Sequence, residues 1–357
     1  MIAKHNFNSG PSILPREVFE KAAEACIEYG NTGLSILEIG HRTPLFEAVL
    51  DEARSLAREL MGLDADFEVL FLHGGASMQF LQIPMNILPQ NGRAAYIDAG
   101  TWGTKAIQEA RNFGTVVVLA SSADRNYVYV PTGYRVLSDA AYFHITSNNT
   151  IEGTQQHEWP ECTVPVICDM SSDILSRKLD FNRFHLIYAG AQKNLGAAGV
   201  TLVAVRKSIL GNSGRILPTM MDYQKHIAAG SMVNTPPVFA VYVVLLTLRW
   251  LKAKGGVDAI EPANNAKAAL LYKTLDDLPA FDPKTEVSSR STMNVVWELT
   301  DKALEPEFDR LCADADLVAL QGHRSVGGYR ASLYNALPME SVELLTSVMQ
   351  HFAEKHG

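Results

Sequence analysis

The sequence predicts an α/β fold in which a mostly parallel, seven-stranded sheet is covered by helices and followed by a smaller C-terminal α/β domain. Seven short apolar runs between residues 67 and 205 carry this prediction: "EVLFLHGGAS", "AAYIDAGTW", "TVVVLASS", "AYFHITSNNT", "PVICDMSSD", "HLIYAGAQK" and "GVTLVAVRK". Each is rich in Val, Ile or aromatic residues and ends in small or polar ones, as strands do. They alternate with helical stretches such as "TKAIQEARNFG", the arrangement of a sheet covered on both faces. With 357 residues, 47% of them hydrophobic, the chain can fill two domains that share a large core.

Ahead of the sheet, "LPREVFEKAAEACIEYG" places apolar residues at 18, 22, 25 and 29 and stops at Gly30, which is helical spacing with a glycine terminus. "TPLFEAVLDEARSLARELMG" reads as a second such helix. The most apolar run, "VFAVYVVLLTL" (Val238 to Leu248), is too short to span a bilayer and is closed by Arg249, so it reads as a buried helix. The Gly-Gly break in "LKAKGGVDAIE" is where a large domain, residues 1–256, hands over to a small one, residues 257–357. Beyond it the helical "ANNAKAALLYKTL" is followed by the strands "STMNVVWEL" and "GYRASLYN", and a last helix starts from Pro338.

Composition excludes several classes. A net charge of −8 argues against a general nucleic-acid binder, which must neutralise many phosphates. Cys26, Cys162, Cys168 and Cys312 show neither CxxC spacing nor a partnering His pattern, so neither a disulfide framework nor a metal site is expected, and reduced thiols in the cytoplasm are the default. The N-terminal "MIAKHNFNSGPS" lacks the apolar core of a signal peptide. GxGxxG is absent, and "GAQKNLG" has its lysine in the wrong place for a P-loop.

In such a sheet, ligands gather at the carboxyl ends of the strands. The residues there are His73 to Ser77, Asp98 to Trp102, Thr146 to Thr150, Asp169 to Ser172 and Ala189 to Lys193. Lys193, in a Gly/Ala turn, reads either as a solvated hairpin lysine or as an amine nucleophile. Pyridoxal phosphate would use this set: a lysine for the Schiff base, an acid at the pyridine nitrogen, a flat side chain over the ring and donors for the phosphate. Lys193, Asp169, Trp102 and the helix start in "HGGAS" can supply them, and Thr150 could donate toward the ring hydroxyl. Each also has a plainer use, as hairpin cation, core indole, tight turn or loop residue.

The ordered motifs "FNSGPSILP", "HGGAS", "DAGTWG", "SNNTIEGT", "CDMSSDILSR", "YAGAQKNLGAAGVT", "NTPPVFAVYV" and "GHRSVGGYRASLYNALP" run essentially end to end. With them the chain resembles the phosphoserine aminotransferases, dimeric pyridoxal-phosphate enzymes of class V with the aspartate-aminotransferase type of fold. The resemblance implies that Lys193 forms the Schiff base, Asp169 meets the pyridine nitrogen, Trp102 stacks on the ring, Thr150 contacts the cofactor, and Gln192 with Ala76 and Ser77 cradles the phosphate. It implies that Asn234 and Thr235 reach the cofactor phosphate of the neighbouring subunit, and that His41, Arg42, His323, Arg324 and Arg330 bind substrate. Some family members carry Gly-Arg where this chain has Ala76-Ser77, so one cation near the phosphate end is missing. The implied reaction converts 3-phosphohydroxypyruvate and L-glutamate to O-phospho-L-serine and 2-oxoglutarate in serine biosynthesis, with room for side activity on 4-phosphohydroxythreonine. Competing readings are an aminotransferase of the alanine or serine–glyoxylate type and a non-catalytic phosphometabolite sensor; a cysteine desulfurase would need a cysteine in a mobile loop that the chain does not evidently supply.

Overall fold

The computed structural model describes residues 4–324 and 326–356. All seven apolar runs form strands of one sheet: β1 (Phe67–Leu72), β2 (Arg93–Asp98), β3 (Thr115–Ser121), β4 (Phe143–Thr146), β5 (Val166–Asp169), β6 (Leu186–Gly190) and β7 (Thr201–Arg206). Their order across the sheet is β1-β7-β6-β5-β4-β2-β3. Every neighbouring pair is parallel except the two made by β7, which runs antiparallel to β1 and β6. The segment from Ala191 to Val200 therefore joins antiparallel strands.

The strands are apolar on both sides because both sides are covered, and the period of two shows which residue goes where. Leu70, Leu72, Tyr188, Val203 and Val205 pack with Phe80, Ile83 and Ile107 on helices α3 (Gly75–Ile87) and α4 (Thr101–Ala110). Val69, Phe71, Ala189, Leu202 and Ala204 face the other way, toward α1 (Arg16–Ile27), α2 (Pro44–Met61) and α5 (Val238–Ala253). Helix α5 is buried from Ala240 to Leu248 and runs on to Ala253, past the arginine that closes its apolar run. Arg249 permits this by pairing with Glu52 of α2, its Nε donating to Oε1 at 2.6 Å. Among the described residues no helix is long and apolar enough to cross a membrane.

After Gly255-Gly256 the chain builds a second core from α6 (Val257–Asp277), α7 (Glu305–Asp314), α8 (Met339–His356) and an antiparallel sheet of β8 (Phe281–Pro283), β9 (Asn294–Leu299) and β10 (Tyr329–Ser332). Strand β8 and helix α7 were not among the sequence expectations. Nor was the pairing of His5–Asn6 with Leu317–Val318, which brings Phe7 into this second core. The N-terminal segment thus packs partly with the C-terminal unit.

Polar side chains join the two cores beside the turn after β6. Asn335, between β10 and α8, donates its backbone N–H to Asn194 Oδ1 at 3.0 Å and its side-chain amide to the Leu175 carbonyl at 3.0 Å. Asn264 of α6 donates to Asn335 Oδ1 and to the Ser176 carbonyl. Lys267, 2% exposed, donates from Nζ to the carbonyls of Leu333, Tyr334 and Leu337 at 2.9, 2.8 and 3.1 Å. Burial pulls the amine's pKa down. Lys267→Met keeps most of the side chain's length but removes the donor that three buried carbonyls share, of which that of Tyr334 also accepts from the Leu337 N–H. It should lower unfolding stability by on the order of 3 kcal/mol in chemical denaturation, and a loss below about 0.5 kcal/mol would mean that water replaces the ammonium.

Candidate active site

A cavity of about 130 Å³ opens at the carboxyl ends of the parallel strands and is lined by Ala76, Ser77, Trp102, Thr150, Asp169, Gln192 and Lys193, together with Phe80, Thr146 and Ser171. They come from the carboxyl ends of β1, β2, β4, β5 and β6 or from the turns and helix starts that follow, which is why residues separated by more than a hundred positions meet in one place.

Lys193 is 9% exposed and donates from Nζ to Thr150 Oγ1 at 2.7 Å. Its backbone is fixed from the N-terminal segment: Ser12 donates its hydroxyl to the Lys193 carbonyl at 2.6 Å and its N–H to the Gln192 carbonyl at 2.9 Å. Gly10, at φ +146°, lies so close that a Cβ there would sit 3.2 Å from Gln192 Cγ. Burial lowers the pKa of the amine to about 8, with the Asp169 charge opposing and Arg330 reinforcing the shift.

Asp169, at the end of β5, is 4% exposed. Burial raises its pKa, while hydrogen bonds from Ser171 and Tyr188 and the charge of Lys193 favour the carboxylate. The Ser171 N–H donates to Asp169 Oδ1 at 2.9 Å. Behind it Ser147 donates to the Asp169 carbonyl at 2.9 Å and to Asp173 Oδ1, and Asp173 pairs with Arg177 at 3.1 Å.

The other end of the cavity is a helix start without a side-chain cap. Gly74, at φ +86°, precedes α3, and a Cβ there would collide with Met78 at 2.6 Å, so the turn needs glycine. The N–H groups of that first turn, beside Ala76 and Ser77, are suited to an anion. Trp102 Nε1 and Thr146 Oγ1, both on cavity residues, are buried without a partner among the described residues. A buried amine, a buried carboxylate, an uncapped helix start and two unused polar atoms form a donor set that fits an aldehyde-bearing, phosphorylated aromatic ring.

A groove of about 560 Å³ continues outward and is lined by Thr101, Tyr127, Glu152, His323 and Arg330, among others. Arg330, on β10 and 9% exposed, donates from Nη2 to Ser9 Oγ at 2.7 Å and from Nη1 to the Thr150 carbonyl at 3.4 Å. Glu152 caps α4 by accepting from both the N–H and the hydroxyl of Thr101 at 2.8 and 2.7 Å. His323 is held below its usual pKa by partial burial and by the charges of Arg330 and Arg324.

The remaining sequence-derived site residues lie outside both spaces. Arg324 is exposed beside His323, and Arg42 is exposed before α2 with His41 half-buried next to it. Asn234 and Thr235 stand against His73, whose Nε2 lies 3.3 Å from Asn234 Nδ2 and 3.0 Å from the Thr235 carbonyl. Sequence reasoning did not single out Ser9, Gly10, Ser12, Ser171, Glu152 or Tyr188; the motifs "FNSGPSILP" and "CDMSSDILSR" were the available signal for four of them. Among the described residues there is no group of three or more His, Cys, Asp or Glu that could hold a metal ion.

The aminotransferase class-V family model matches residues 4–345. The chain is 58% identical over 353 residues to the phosphoserine aminotransferase of Flavobacterium johnsoniae, with 99% of each chain covered. A solved phosphoserine aminotransferase from Bacillus circulans subsp. alkalophilus is 44% identical and superposes with a TM-score of 0.97 over 100% of both chains. A pyridoxal-phosphate-bound phosphoserine aminotransferase from Trichomonas vaginalis is 35% identical, with a TM-score of 0.92 over 98% of this chain and 100% of that one.

Burial of Lys193 sets a testable pH dependence. With a pKa near 8 in the fold against 10.5 for an ordinary lysine, the burial cost is fully present below pH 8 and is relieved as pH rises toward 10.5. At pH 7 about a tenth of the amine is neutral. Reductive methylation of the cofactor-free protein by formaldehyde, mapped by peptide, should therefore label Lys193 with a midpoint near pH 8. A midpoint at the ordinary lysine value would mean that the amine is solvated.

Proposed function

The chain belongs to the aminotransferase class-V family, and from that premise we infer that it transfers the amino group of L-glutamate to 3-phosphohydroxypyruvate, giving O-phospho-L-serine and 2-oxoglutarate in serine biosynthesis. The observation that carries this reading is the meeting of Lys193, Asp169 and the uncapped start of α3 in one cavity, with Arg330 at its mouth. The cofactor is pyridoxal phosphate, which when bound supplies the carbonyl that takes the amino group and the ring that absorbs charge from the reacting carbon.

The chain's own residues bind, orient and move protons. Lys193 would hold the cofactor through Nζ, and as a free amine it would take the proton from Cα of the amino donor and return one to Cα of the acceptor. Thr150 Oγ1, 2.7 Å from Nζ, steadies the amine between those transfers. Asp169 would meet the pyridine nitrogen, Trp102, with Lys105 Nζ 4.7 Å from its indole centroid, would cover the ring, and Ala76, Ser77 and Gln192 would hold the phosphate. Arg330 keeps donors free for the α-carboxylate that both substrates share, and His323, Arg324, His41 and Arg42 serve the distal anion. Residues 257–357 then act as the unit that brings Arg330 and His323 to a cofactor held by residues 1–256.

His41, Arg42, Asn234 and Thr235 lie outside their own cavity, which supports a homodimer in which they complete the neighbour's site. His41 Nε2 and Asn234 Oδ1 are buried without a partner among the described residues, and Phe19, Ile27, Leu34, Leu37 and Leu45 leave apolar surface exposed in the same N-terminal stretch as His41. Such atoms and surfaces are what a second copy would cover. The four free cysteines are consistent with a cytoplasmic enzyme.

A panel of donors and acceptors tests the reaction: glutamate with 3-phosphohydroxypyruvate should exceed alanine or serine with glyoxylate by at least about tenfold in kcat/KM, about 1.4 kcal/mol of discrimination. Parity would favour the glyoxylate class, and no turnover with any pair would favour a sensor. Shared sites are tested by mixing Lys193→Ala with Thr235→Glu chains. Each homodimer should be inactive, while random reassortment makes half the dimers mixed and restores roughly a quarter of normal sites. A mixture that stays dead although mass spectrometry finds mixed dimers would place Thr235 in its own site.

A further inference from the structure

Two buried polar side chains lie behind Asp169 with no part in the reaction as derived above. Tyr188, on β6, is the cross-strand partner of Asp169 on β5, so the two side chains share a face of the sheet. Its hydroxyl lies 2.9 Å from His144 Nε2, on β4, and its pKa is raised by burial and by the nearby charge of the Asp169 carboxylate. Tyr188 is fully buried and His144 is 2% exposed, with Tyr96 stacked on the imidazole at 4.8 Å.

The imidazole has one proton to place, because burial lowers its pKa to about 3 and keeps it neutral. Nδ1 is buried without a partner among the described residues. A proton there would be an orphaned buried donor, whereas on Nε2 it meets the Tyr188 oxygen. The hydroxyl oxygen then accepts from the histidine, and its own proton is free to turn toward Asp169. Ser171 repeats this arrangement: the Gly190 N–H donates to Ser171 Oγ at 3.2 Å, leaving the serine proton for Asp169. The Ser171 N–H donates to the carboxylate at 2.9 Å, and with the Ser171 and Tyr188 hydroxyls beside it three donors are available to a group that has about four acceptor positions.

We propose that His144 and Tyr188 are positioning residues of the cofactor site, a one-way relay from His144 Nε2–H to the Tyr188 oxygen and from Tyr188 O–H to Asp169 that keeps the carboxylate ionised. One acceptor position is left open to the cavity for the pyridine N–H. The relay rests on the fold, and its consequence for the pyridine nitrogen rests on the cofactor reading above. Without the Tyr188 proton the carboxylate becomes the stronger base, and the proton between it and the ring nitrogen moves toward Asp169.

Two nitrogen-15 NMR measurements on the full-length protein test this. In the wild-type protein with labelled histidine, His144 should show Nε2 protonated and Nδ1 bare; the reverse tautomer would turn Tyr188 away from Asp169 and overturn the relay. In Tyr188→Phe loaded with ring-labelled pyridoxal phosphate, the ring nitrogen should move toward the unprotonated shift, as for a rise of about one pKa unit at Asp169. A ring nitrogen identical to wild type would overturn it too, and a role confined to packing would leave that signal unmoved. The histidine spectrum needs no variant, so a Tyr188→Phe chain that fails to fold still leaves the proposal open to refutation. A wild-type protein that takes up no pyridoxal phosphate would overturn the function above, while the histidine tautomer would still judge the relay.

Discussion

The buried amine at the turn after β6 is the constraint around which the site is organised. Taking Lys193 out of water favours its neutral form, and a neutral amine is what nucleophilic and proton-transfer chemistry needs near neutral pH. A flexible four-carbon side chain stays buried only if its backbone is held. Here the holding groups come from three directions: Ser12 on the Lys193 carbonyl, Thr150 on Nζ, and Asn335 on the neighbouring Asn194. Asn335 lies in the segment whose carbonyls Lys267 gathers, so one buried lysine helps to fix the surroundings of the other.

Electrostatics at the site run against the sign of the whole chain. The net charge is −8, yet the charges of Arg330, Arg324 and Lys105 converge on His323 by the groove, and the uncapped α3 start adds the partial positive charge of a helix dipole. Long-range steering of anions is therefore weak, and recognition falls to short, desolvated contacts. The carboxylates in this region are engaged through at least one oxygen: Glu152 Oε1 with Thr101, Asp173 with Ser147 and Arg177, and Asp169 Oδ1 with the Ser171 N–H, while Glu152 Oε2 is buried without a partner among the described residues. Engaged in this way, they are less free to pair with the cations that substrate anions would need.

Much of the architecture was readable along the chain. Six of the seven strands appear as apolar runs because both faces of the sheet are buried along them, and such burial imposes a local composition that no partner need specify; the edge strand β3 is apolar but only half-buried. The buried helix α5 was readable for the same kind of reason. Strand β8 has three residues, the His5–Asn6 pairing has two, and helix α7 has few buried side chains, so each takes its form mainly from a distant partner. The turn holding Lys193 joins antiparallel strands, so the hairpin expectation describes its connectivity. Solvation does not follow, because the groups that bury it lie 43 and 181 positions away.

Sequence alone therefore determined the seven strands of the large sheet, the order of their ends along the chain and, through the motifs in that order, the family whose chemistry uses them. Tertiary structure decided which residues share a cavity: Ala76, Ser77, Trp102, Thr150, Asp169, Gln192 and Lys193 meet, whereas His41, Arg42, Asn234 and Thr235 stand outside. It also decided protonation. Desolvation and the direction of a hydrogen bond depend on atoms brought together across strands, as with His144, Tyr188 and Asp169 on β4, β6 and β5. Composition and periodicity encode burial residue by residue; they carry no record of which buried polar atom ends up facing which.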